Sequence, residues 1–183
     1  MSDESVVPGV YIEETPTTRV IAAEPTAITL FVAPAPPASA DLLLIANFAE
    51  YLHSGGGADN LLGLSLRGFF DNGGREALVL GLPLTDTPDA MRAALFAAFT
   101  EGGVADGVAF NLLCAPGLDD IDALLHLHDW CKARRAFFIV DAPQGASVAE
   151  LLRNMHRLRG PHATNAALYF PWITTPAGAK RKP

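Results

Sequence analysis

A chain of 183 residues, half of them hydrophobic and only 18% charged, with a mean hydropathy of +0.24, holds enough apolar material for one packed core but falls short of two domains of the usual ~100–150 residues each. That composition excludes a disordered chain and implies more apolar surface than a solitary monomer shows. A net charge of −7 with 13 basic residues, whose one dense run is Lys180-Arg181-Lys182, excludes a general nucleic-acid binder, because neutralising phosphates takes clustered Lys and Arg.

No segment approaches the roughly 20 apolar residues of a membrane-spanning helix. The best, Leu42 to Phe48, is broken by Asn47, so no membrane insertion is expected. The start Met1-Ser2-Asp3-Glu4 is acidic and lacks the basic-then-apolar order of a secretory signal, so the protein is expected to stay where it is made. In that setting Cys114 and Cys131, each inside an apolar stretch, read as buried thiols rather than a disulfide.

From Ser5 to Ala33 there is no helical periodicity. Short β-favouring pieces, Val10 to Ile12, Arg19 to Ile21 and Thr26 to Val32, are separated by Pro8-Gly9, Pro16 and Pro25, which predicts an extended arm leading into a first strand. Pro34 to Ser39, with three prolines, reads as a surface loop that can be neither helix nor sheet interior. Asn47 and Glu50 have capping-box spacing and predict a helix over Phe48 to His53, ending at Gly55-Gly56-Gly57. A second helix starts near Asp59 or Asn60, turns Leu61, Leu62, Leu66, Phe69 and Phe70 inward and stops before Gly73-Gly74. Ala77 to Leu82 is a buried strand. Pro88 opens a helix through Met91, Ala94, Leu95, Ala98 and Phe99, closed by Gly102-Gly103.

Val108 to Cys114 reads as the next strand, and Asp119-Asp120 opens a helix through Leu124, Leu125, Leu127 and Cys131. Phe137 to Val140 is a strand, Ser147 and Glu150 form a second capping box ahead of Leu151, Leu152, Met155 and Leu158, and Ala166 to Phe170 is the last strand. The alternation predicts an α/β fold: a three-layer, parallel or mostly parallel sheet with flanking helices, preceded by an extended N-terminal β arm. Arm, core and a flexible C-terminal tail divide at 1–25, 26–173 and 174–183.

Candidate chemistry is sparse. His126, His128 and Cys131 lie within six positions, but on a helix residue 126 sits roughly 200° around the axis from 128, so one ion cannot take all three. They read as solvent-facing histidines and a core cysteine. Neither Gly55-Gly56-Gly57 nor Gly73-Gly74 has the context of a phosphate loop. Ser65 lacks a nucleophile-elbow setting, and Ser147 serves as a cap. Asp141, at a strand end, is the best-placed acidic group for catalysis, but no partner carboxylate or lysine accompanies it, and it reads as a strand-to-loop exit. No metal, cofactor or catalytic set is expected.

Four segments carry a resemblance. Pro8-Gly9-Val10-Tyr11-Ile12-Glu13-Glu14 resembles the N-terminal arm of contractile tail sheath proteins. Leu66 to Arg75 resembles their helix-turn segment, Phe138 to Pro143 a later strand, and Ala167 to Ile173 the strand closing the core. They occur in the family's order and cover nearly the whole chain, in the manner of sheaths of phage tails, tailocins and related injection particles. The resemblance implies a structural subunit that stacks in rings around an inner tube and shortens to drive it through an envelope. It implies strand exchange through the arm residues Pro8, Gly9, Val10, Tyr11, Ile12, Glu13 and Glu14. The partners it implies are other sheath subunits, an inner tube protein, and baseplate or terminator proteins, met in the bacterial cytoplasm during assembly and then in the finished particle.

A proline-punctuated β arm outside the core independently suits addition to another sheet edge. Family members continue past Pro171-Trp172-Ile173, where this sequence has only Thr174 to Pro183. A short-form sheath subunit and a sheath-like accessory or end-capping protein are therefore both open, and a small α/β enzyme would explain only the alternating architecture.

Overall fold

The computed structural model describes residues 27–36, 41–154, 156, 164–174 and 180–181. The arm residues Pro8 to Glu14, together with Met155 and Leu158, lie outside them. Six strands form one sheet: β1 (Thr29–Pro34), β2 (Leu43–Ile45), β3 (Ala77–Leu82), β4 (Leu112–Cys114), β5 (Phe137–Asp141) and β6 (Ala166–Tyr169), in the order β2-β3-β1-β4-β5-β6. All neighbours are parallel except β2, which runs antiparallel to β3. The helices are α1 (Phe48–His53), α2 (Leu61–Asp71), α3 (Pro88–Ala98), α4 (Ile121–Arg134) and α5 (Val148–Asn154). The α/β architecture, with a mostly parallel sheet flanked by helices, is the one the alternation predicts.

Helix starts follow the side chains that satisfy first-turn amides. Asn47 accepts from the Glu50 N–H at 3.0 Å while Glu50 reaches back to the Ala46 N–H at 2.7 Å. Asn60, Thr87 and Asp120 cap α2, α3 and α4 in the same way. Ser147 and Glu150 close the second capping box. Past the end of α2, Gly73 takes φ +92, a left-handed conformation that glycine adopts without steric cost.

Strand alternation sends side chains to two cores. Leu30, Val32, Leu80, Leu82, Leu113, Phe138 and Val140 meet Leu95, Leu124, Leu127 and Cys131 of α3 and α4 on one face, with Leu151 of α5. Phe31, Ala33, Ala77 and Val79 meet Tyr51, Leu62 and Leu66 of α1 and α2 on the other. Strand order explains this division. A parallel crossover is right-handed, so the connection from β1 out to β3 lays α1 and α2 on one face. The three connections running the opposite way, through β4, β5 and β6, lay α3, α4 and α5 on the other. Among the described residues, helices thus cover the α1/α2 face over β2, β3 and β1 only.

The structure differs from the expected elements at four places. Pro34 is the last residue of β1, paired with Leu82, and Ala35 beside it is buried; a strand end tolerates a residue without an N–H. The strand expected over Val108 to Cys114 is only Leu112–Cys114, because Phe110 turns into the core and Asn111 uses its side chain to accept from the Ile28 N–H at 3.2 Å. β2 was not anticipated at all. At the boundary of the expected core and tail, Ile173–Thr174 (β7) pairs antiparallel with Lys180–Arg181 (β8) of the tail, which lies alongside α2.

Candidate interaction surfaces

The half of this face that no described helix covers is the principal surface feature. Across it the ladder registers Phe31 with Cys114, Cys114 with Ile139, and Ile139 with Ala167, and Phe31, Cys114 and Ile139 floor a trough running from β1 to β5. Leu61, Leu64 and Phe69 of α2 form one wall, and Ile173 of β7 stands at the mouth, 55% exposed. The volume is about 370 Å³. Its polar groups are few. Ser65 donates to the Leu61 carbonyl at 2.8 Å and Asn72 to the Gly68 carbonyl at 2.7 Å, both within α2, and Asp141 is 8% exposed at the end of β5. Trp172 Nε1 donates to the Ala142 carbonyl at 2.6 Å, which holds the chain leading into β7 against the end of β5.

The second feature is the β6 edge. β6 ends the strand order, and Leu168, Tyr169 and Phe170 are each more than 40% exposed there. Val148 and Leu152, one helical turn apart on α5, are exposed as well. An apolar edge strand is a template for pairing with another chain.

The residues with chemical potential are used structurally. His126 Nε2 lies 2.6 Å from the Phe99 carbonyl oxygen and its ring stacks on Phe96 at 4.3 Å. His128 was expected to face solvent; it is 4% exposed, with Nε2 2.9 Å from the Thr164 carbonyl oxygen. The error came from treating histidine as polar when α4 turns it toward the sheet beside Leu127 and Cys131. Burial pushes the Cys131 thiol up to about 12, the nearby Arg134 lowering it only in part. Cys114 is half-buried rather than buried and belongs to the opposite face from Cys131, so the two cannot pair. A Cβ on Gly56 would stand 2.4 Å from the Tyr51 ring, and one on Gly74 2.3 Å from the Phe69 ring, which gives both glycine stretches a packing role. Arg134 pairs with Asp106 and stacks over Trp130 at 3.4 Å. Among the described residues no group of three His, Cys, Asp or Glu side chains converges on a common point, and no helix is long and apolar enough to cross a membrane.

A solved structure shares this arrangement. The fold is found in a baseplate chain. The electron cryo-microscopy structure of the anti-feeding prophage baseplate in its contracted state contains a chain that matches over 93% of this one with a TM-score of 0.66 at 23% identity. The matched region is 48% of that chain, so this protein spans about half its length. No protein-family model matches, and no curated protein does. At this identity the likeness establishes a shared α/β fold.

Proposed function

We propose that this chain is a structural subunit of a contractile tail or injection particle, of the sheath type, joined to its neighbours by strand exchange through Val10, Tyr11 and Ile12. The observation that carries this reading is the likeness, over 93% of the chain, to a component of a contracted baseplate, reached independently of the four sheath-like segments in the sequence. The surface agrees with an assembly role, since an apolar edge strand and a bare sheet face are features that association covers. His126, His128, Ser65 and Ser147 are engaged in packing and capping, so a non-enzymatic role fits them. An accessory or end-capping protein of the same particle is the second reading, favoured by the likeness to a chain of a baseplate structure.

Co-expression with an inner tube protein, followed by electron microscopy, tests the proposal. Decorated tubes or ring stacks that disappear on deletion of Met1 to Arg19, with circular dichroism unchanged, are the expected result. A full-length protein that stays monomeric and never associates with tubes would overturn it.

A further inference from the structure

We propose that, before assembly, the trough on the helix-free half of the sheet is the berth of this chain's own N-terminal segment, Val6 to Ile12. The inference goes beyond the particle assignment and does not depend on it.

The trough is a consequence of topology. Three of the four crossovers place their helices on the far face, so that beyond Phe31, which packs against Phe69 of α2, the same row continues through Cys114, Ile139 and Ala167, which are only partly buried among the described residues. An apolar strip of this kind is covered in a stable soluble chain. The segment with the right chemistry is Val6-Val7-Pro8-Gly9-Val10-Tyr11-Ile12, apolar at six of seven positions apart from Gly9, without helical periodicity, and with Val10 and Ile12 on one side of an extended chain.

Chain path favours an occupant from the same molecule. The chain joins the fold at Ile28, whose carbonyl accepts from the Asn111 and Leu112 N–H groups at the start of β1, and Phe31, in the trough floor, follows three residues later. The 16 residues from Ile12 to Ile28 reach about 50 Å when extended, whereas four strands span only about 15 Å at the usual spacing. A tether so much longer than its span gives the segment a local concentration in the millimolar range. A second copy has no such advantage, and each copy carries a net charge of −7. Docking there keeps the arm's apolar residues out of solvent until another acceptor competes for them.

Cys114 in the floor is a built-in reporter. In the full-length protein carrying Val10→Cys, mild oxidation at low protein concentration should form a disulfide between position 10 and Cys114 within one chain, identified by peptide mapping. Tyr11→Cys, whose side chain points the other way, should cross-link poorly. Without oxidant, alkylation of Cys114 should run about tenfold faster in Ile12→Asp than in the wild-type protein, because the exposed fraction rises as the berth empties. Circular dichroism confirms that each variant is folded. Three results would overturn the proposal: equal cross-linking from positions 10 and 11, a cross-linked dimer that grows with concentration, or an unchanged alkylation rate with no cross-link. The first denotes random encounter and the second a neighbour's arm in the trough.

Discussion

Trp172 and Ala142 are linked across 30 positions of sequence by one hydrogen bond, from the indole Nε1–H to the carbonyl oxygen at 2.6 Å. Through it the residues that follow β6 are held over the end of β5, and Ile173 is set at the mouth of the trough. Replacing Trp172 with Phe keeps an aromatic ring and removes the donor. The loss should be about 0.5–1.5 kcal/mol by denaturant unfolding, with faster amide exchange at Ile173 and Thr174 than anywhere in β5.

His128 offers the corresponding test on α4. Its ring is buried, and its Nε2 meets the Thr164 carbonyl just before β6 begins. His128→Ala should destabilise the protein by about 1–3 kcal/mol, because the bond to the Thr164 carbonyl is lost and the buried ring leaves a cavity. His128→Gln, which can still donate, should recover part of that loss. Unchanged unfolding midpoints for both variants would contradict the assignment.

Two glycines of α2 should respond to alanine with opposite signs. A Cβ at Gly63 would stand 1.9 Å from the Gly57 carbonyl oxygen, whereas one at Gly68 meets nothing within 4 Å. Backbone cannot yield as a side-chain tip can, so Gly63→Ala should cost about 1–3 kcal/mol. Gly68→Ala should stabilise by roughly 0.5–1 kcal/mol from helix propensity alone. Thermal melts of the two variants read the difference directly.

Acid should weaken the fold partly through Glu150 and Asp106. The Ser147 N–H, with help from its hydroxyl, holds the Glu150 carboxyl below the usual glutamate range. The Gly102 N–H does the same for Asp106, reinforced by Arg134. A depressed folded-state value means that the stabilisation is complete above the ordinary carboxylate range and disappears as pH falls through it and then through the lowered value. Urea unfolding at pH 6 and at pH 3 should therefore show a smaller difference in Glu150→Gln and in Asp106→Asn than in the wild-type protein.

Much of this fold was legible because its signals are local. α1 begins and ends where Asn47, Glu50 and Gly55 say it should, and β3 is the apolar run Ala77 to Leu82, since caps and burial patterns act over a few residues. β2 escaped notice because three residues at a sheet edge carry no periodicity, and its antiparallel direction depends on β3, some thirty positions later. His128 was misplaced for a related reason: residue type suggested solvent, while the rotation of α4 is set by Leu124, Leu127 and Cys131 together.

The assembly surfaces divide along the same line. Arm composition and the proline punctuation around Val10 to Ile12 could be read from the sequence alone, because each is a matter of residue type and spacing. Which half of the sheet goes without helices could not. That depends on the handedness of four crossovers and on β1 lying between β3 and β4, properties of the whole sheet that no window of sequence contains. Only the folded chain brings Phe31, Cys114, Ile139 and Ala167 into one row and places Ile173 at its edge, so only the tertiary structure decided where this protein leaves apolar surface to be covered.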